Sequence, residues 1–183
     1  MDNEKSELEK KVEEGIYGAP EIKKGEKRRY LGEYKERIIK YLTYEQVIEE
    51  GTYPEILEAI KHPQAQKLII DRSVDIDYAQ DYIDLAHKNN ISFKRVDSPD
   101  FKGDVALVVV GSDAVNIKKR KVLSREERLK KAGISDTIIK NAGTALCPDC
   151  WQELKAKAPE ELINYNKINW LEKLLGQECI NCQ

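Results

Sequence analysis

The sequence predicts an α/β protein, a small mixed-sheet sandwich with helices packed on the sheet, followed by a small helical zinc-binding tail. Three observations carry this. Between about residues 32 and 116, short apolar runs rich in β-branched residues alternate with segments of helical spacing. All four cysteines lie at or beyond position 147, as Cys147-Pro-Asp-Cys150 and Cys179-Ile-Asn-Cys182. The composition is that of an ordinary globular chain: over 183 residues there are 31 basic and 33 acidic side chains, with 40% hydrophobic content. That suffices for one core and an appendage.

The first part, residues 1–31, is a charged arm. Leu8, Val12 and Ile16 recur at steps of four and predict a helix ending near Gly15 to Gly18, after which Gly18-Ala-Pro20 forces a turn. The basic cluster Lys27, Arg28 and Arg29 follows; it reads as a solvated arm or as a binding surface for a polyanion.

Residues 32–116 form the α/β domain. Glu36 to Thr43 has strand composition, and Thr52-Tyr-Pro-Glu55 is expected to open a helix running through Ile60, with Thr52 and Glu55 as a capping box. Lys67 to Asp71 suits an interior strand covered on both faces. Ile76, Ala79, Tyr82, Ile83 and Ala86 mark a helix that stops at Asn89-Asn90, and a third strand runs from Ile91 to Val96. Val105 to Val110 is the most apolar run and the candidate central strand.

Residues 117–143 read as a basic helical linker. From Ile117 to Lys140 there are nine basic and three acidic residues, in a chain whose net charge is only −2. Ser124-Arg-Glu-Glu127 is a second capping-box pattern, and Gly133 and Gly143 are placed to end short helices. Lys118, Lys119, Arg120, Lys121, Arg125 and Arg128 are the candidate contacts to RNA, DNA or an acidic protein; the plainer reading is a solvated helix.

Residues 144–183 are the four-cysteine tail. Two residues between paired cysteines let one tight turn aim both sulfurs at one point, so Cys147, Cys150, Cys179 and Cys182 are candidate ligands of a structural Zn2+. A redox pair at a helix start and four unligated thiols are the alternatives. Between the pairs, helical spacing broken at Pro159 brings Trp151, Leu154, Leu162, Ile163, Tyr165, Ile168, Trp170, Leu171, Leu174 and Leu175, expected to form a miniature core. So small a unit needs a metal or disulfides, and four thiolates leave no open position for a catalytic water.

Catalytic chemistry is sparse. His62 and His87 have no nucleophile beside them, and no phosphate loop, nucleophile elbow or His-Glu-x-x-His occurs. Asp71, Asp75 and Asp97 at strand ends offer the alternative reading of a small-molecule or enzymatic domain, although such residues are usually turn or cap residues. No apolar run approaches the 18 or so residues of a membrane span, and Met1-Asp-Asn-Glu-Lys5 does not open a signal peptide. The expectation is a cytoplasmic chain, where paired cysteines are metal ligands or redox thiols rather than structural disulfides.

Gly15-Ile-Tyr-Gly-Ala-Pro20-Glu-Ile, Glu26-Lys-Arg-Arg-Tyr-Leu-Gly-Glu-Tyr-Lys-Glu-Arg-Ile38 and Thr52-Tyr-Pro-Glu-Ile-Leu-Glu-Ala-Ile60 resemble the YueI family of Firmicutes over about residues 12–117. The resemblance implies a small α/β domain similar to the chorismate-mutase-like and kink-turn-binding ribosomal-protein folds, in a family without assigned function, and it brings no catalytic residues; the reading of the whole chain is a noncatalytic interaction module. In the kink-turn proteins, the segment corresponding to Gly51–Glu55 starts the RNA-binding helix; here Tyr53-Pro54 precedes Glu55 and the usual asparagine is missing. Shorter family members lack the cysteine tail.

Overall fold

The structure, a computed structural model, describes residues 24–182. The helix expected around Leu8 and the turn at Pro20 lie outside them. Helix α1 (Lys24–Arg29) and a 3-10 turn (Lys35–Arg37) precede strand β1 (Ile38–Thr43). Next come α2 (Tyr44–Val47), α3 (Pro54–Ile60), β2 (Ala65–Asp71), α4 (Ile76–Lys88), β3 (Ser92–Val96) and β4 (Val105–Gly111).

The four strands form one mixed sheet in the order β1-β4-β2-β3. Strand β4 runs antiparallel to both neighbours, while β2 and β3 pair in parallel through the α4 crossover. All seven β4 residues are buried because both faces of the sheet are covered. On one face Leu68, Ile70, Leu107 and Val109 meet Ile56 and Ile60 of α3 and Ala79, Tyr82 and Ala86 of α4. On the other, Ile69, Val108 and Val110 meet Ile38, Tyr30 and Leu31. Adjacent residues point to opposite faces, which is why the run carries no polar alternation.

The helix caps follow the sequence in some places and depart from it in others. Asp75 caps α4 by accepting from the Asp77 N–H, and Asn90 takes the left-handed conformation (φ 57°) that ends it. The capping box expected from Thr52 and Glu55 does not form. Tyr53 is the N-cap of α3 and makes no side-chain cap bond, because a residue from the C-terminal unit takes the Thr52 backbone instead. A full capping box forms at Thr43 and Gln46 of α2.

After β4 the chain returns along the free edge of β1. Tyr41 N–H donates to Arg120 O at 3.0 Å, and Lys121 bridges Tyr41 in parallel, so this side of the sheet is not left as an open edge. Helices α5 (Arg125–Lys131) and α6 (Asp136–Lys140) follow, then β5 (Ala145–Leu146), α7 (Pro148–Lys157), a 3-10 stretch (Pro159–Asn164), β6 (Asn166–Lys167) and α8 (Trp170–Leu174). The segment expected as a linker is not free. Leu129, Ile134, Ile138 and Ile139 are buried in one core with Leu146, Cys150, Leu154, Tyr165 and Ile168. Cys179 near the end of the chain is buried in this core, but α8 stays outside it. Trp170, Leu171, Leu174 and Leu175, expected inside it, are 78%, 49%, 76% and 79% exposed.

Candidate metal centre

Cys147 is the N-cap of α7. Its sulfur accepts from the Cys150 N–H at 3.5 Å, and Pro148, which has no N–H to offer, occupies the first turn. Cys179 and Cys182 lie on the following tight turn, closed by a 3.1 Å bond from Cys182 N to Cys179 O. The two turns face each other. The ligand atoms of all four cysteines lie within 4.8 Å of one another, with Cys182 Sγ 3.7 Å from Cys147 Sγ and 3.6 Å from Cys150 Sγ. None is in a disulfide, whose sulfurs would stand about 2.05 Å apart. Four sulfurs placed tetrahedrally at about 2.3 Å from one centre stand about 3.8 Å from each other. The observed separations fit such a centre, and the cluster can hold a metal ion.

The surroundings support thiolate ligation. Asn181 Nδ2 donates to Cys150 Sγ at 3.4 Å, and its Oδ1 accepts from Ser135 Oγ at 2.5 Å. Ser135 also caps α6, which ties the cluster to the segment before it. The two buried thiols are poorly matched. Burial pushes Cys150 up to about 12, whereas at Cys179 burial is outweighed by backbone N–H bonds from Cys147 and Asn181, which bring it down to about 7. A bound cation favours the thiolate at every position.

The candidate binding cations divide into two groups. Lys118, Lys119 and Lys121 are exposed. Arg120 turns inward, donating to Ile38 O at 2.8 Å and Val115 O at 2.9 Å. Arg125 is 3% exposed; it donates to Thr52 O at 3.2 Å and lies 3.7 Å from both Glu49 and Glu161. Arg128 pairs with Glu55 at 2.9 Å, with Glu160 at 3.2 Å and with Glu161. These two arginines form a clasp between the sheet domain and the C-terminal unit. In the N-terminal cluster Lys27 lies over the Tyr34 ring, Arg28 pairs with Asp100 at 3.5 Å, and Arg29 is exposed.

Sequence reasoning missed Glu161 and Asn164. Glu161 is fully buried, and Asn164 brackets Thr52 with two 2.7 Å bonds, accepting from its N–H and donating to its carbonyl. A Cβ at Gly51 would fall 2.7 Å from Asn164 Oδ1, so glycine is required where the two units touch. The Gly51–Glu55 segment, expected from the resemblance to start an RNA-binding helix, is therefore covered by the chain's own C-terminal unit. Asp71 and Asp75 accept from the Ser73 and Asp77 N–H groups, the work of turn and cap residues.

These features define a small mixed-sheet α/β domain extended by a four-thiol unit. The chain belongs to the family described as "Protein of unknown function (DUF1694)", which matches residues 5–121. It is 29% identical over 105 residues to "Uncharacterized protein YueI" of Bacillus subtilis (strain 168), a stretch covering 57% of this chain and 80% of that protein. It also matches the crystal structure of the YueI protein from Bacillus subtilis with a TM-score of 0.54 and 25% identity, covering 66% of this chain and 94% of that one. All four cysteines lie beyond the family match. Among the described residues no helix is long and apolar enough to cross a membrane.

Proposed function

We propose that this protein is a noncatalytic, cytoplasmic RNA-binding module whose C-terminal unit is clipped together by a structural Zn2+ held by Cys147, Cys150, Cys179 and Cys182. Zinc suits four thiolates, and the closed ligand set leaves the metal no open position for catalysis. Reduced, unpaired cysteines fit a reducing compartment.

The observation that carries the RNA reading is the meeting of the two basic segments at Tyr41. Lys121 pairs with Tyr41 along the edge of β1, Tyr30, next to Arg29, packs edge-on against the Tyr41 ring at 5.6 Å, and Lys40 reaches Lys119 O at 3.0 Å. Tyr44, 41% exposed, follows on the same strand-to-helix turn. Cations beside accessible aromatic rings suit a single strand, through phosphate contacts and base stacking. The overall balance of −2 confines this surface to a patch.

The test is fluorescence anisotropy with single-stranded RNA between 50 and 300 mM salt. Three phosphate contacts predict a slope of log affinity against log salt of about −2. Lys118, Lys119 and Lys121 changed together to Glu should abolish the binding with folding and metal content intact. Salt-independent binding, or equal binding by the variant, refutes the reading; binding to an acidic protein with indifference to RNA replaces it.

A further inference from the structure

Helix α8 carries the largest exposed apolar surface among the described residues. Within six positions, Trp170, Leu171, Leu174 and Leu175 are between 49% and 79% exposed. The helix is well formed: Asn169 and Glu172 make a complete capping box, with bonds of 2.8 and 2.9 Å. At about 100° per residue, Trp170, Leu174, Leu171 and Leu175 fall in that order across an arc of about 140°. Glu172 lies on the rim beside Leu175 and Lys173 on the rim beside Trp170. The helix thus presents an apolar stripe bordered by one acid and one base.

We infer that α8 is the dimerisation surface of the protein and that its occupant is α8 of a second copy, aligned in parallel about a two-fold axis. Charge complementarity selects this occupant. A two-fold along the helix axis exchanges the rims, so each Glu172 faces the Lys173 of the other copy; an antiparallel two-fold would set Glu172 against Glu172. The stripe meets itself, as an isologous interface requires. Area agrees with this. One tryptophan and three leucines at these exposures offer about 450 Å2 of apolar surface per copy, so two copies bury about 900 Å2 from these side chains alone. With a polar rim the total reaches the lower end of specific interfaces, about 1,000–1,200 Å2, appropriate to a reversible dimer. The net charge of −2 offers little repulsion between copies. Leu174 and Leu171 lie at the centre of the stripe, where binding energy concentrates, with Trp170 flanking them.

The inference goes beyond the RNA and zinc readings, and its test separates them. Sedimentation equilibrium of the full zinc-loaded chain from 1 to 300 μM should show a reversible monomer–dimer equilibrium with micromolar dissociation, accompanied by a blue shift of tryptophan emission as concentration rises. Leu174→Glu should remain monomeric over the whole range with unchanged circular dichroism and zinc content. Lys173→Glu should weaken the dimer at least tenfold. A monomer at 300 μM overturns the inference, as does a dimer that survives Leu174→Glu. So does a monomer that captures an apolar peptide or a zwitterionic vesicle through Trp170, which would give the stripe to another occupant. Metal content measured on the same samples shows whether a failure belongs to the helix or to the cysteine cluster.

Discussion

Changing Glu161 to Gln tests the joint between the sheet domain and the C-terminal unit. Glu161 is fully buried; it takes Arg128 through Oε1, and its Oε2 accepts from Asn164 Nδ2 at 2.8 Å and lies 3.7 Å from Arg125 Nε. Glutamine keeps the volume and one acceptor but removes the charge that offsets Arg125. That arginine is 3% exposed, and its remaining carboxylate, Glu49, is 3.7 Å away at the surface. Removing one partner of a buried pair costs about 3–5 kcal/mol. Arg128 keeps Glu55 and Glu160, so the low end applies, about 3 kcal/mol. At about 2–4 °C per kcal/mol for a chain of this size, Tm should fall by about 6–12 °C. The control is Glu160→Gln at an exposed pair, expected to cost under about 1 kcal/mol. Calorimetry checks both, and hydrogen exchange should show faster exchange at residues 51–55 in Glu161→Gln alone. A Tm within about 1 °C of the parent, or equal losses for both variants, would refute the claim that this carboxylate holds the units together.

Three further outcomes follow from the geometry. Asn181→Ala removes the donor to Cys150 Sγ and should lower zinc affinity about 10–100-fold in competition with a chromophoric chelator; an unchanged affinity counts against the role given to Asn181. Burial holds Tyr165 up to about 12, and its hydroxyl donates to Ile138 O at 2.7 Å. Unfolded tyrosine ionises near pH 10, so this stabilisation is fully present below about pH 10 and is lost as pH rises towards 12. Tyr165→Phe should cost about 1 kcal/mol at pH 8 and lose less than the parent between pH 9.5 and 11.5 in urea titrations. Thr43→Ala breaks the capping box of α2 and should cost about 1 kcal/mol, readable as a shift in urea midpoint with unchanged slope.

Legibility in the sequence followed the range of the interactions. Strand β4 could be read because a strand covered on both faces is an unbroken apolar run, and α4 because its apolar spacing and Asp75 cap are local. The cysteine cluster could be read because each pair is set by two intervening residues. The capping box at Thr52 failed for a non-local reason: Asn164, 112 positions away, claims that backbone. Arg125 and Arg128 read as members of a charge run because their partner Glu161 is more than 30 residues distant and carries no mark of its own burial. The exposure of α8 was hidden in the same way. Its spacing matches a core helix, and only packing shows that Leu129, Ile134, Ile138 and Ile139 enter that core while Trp170, Leu171, Leu174 and Leu175 do not.

The central claim is that the four sulfurs, gathered within 4.8 Å, hold a metal that completes the C-terminal unit. Native mass spectrometry and elemental analysis of protein purified under reducing conditions without chelator test it most directly. One zinc per chain is expected, and its removal should release four titratable thiols and raise hydrogen exchange across residues 144–182. A metal-free chain that keeps the same protection in that region would contradict it.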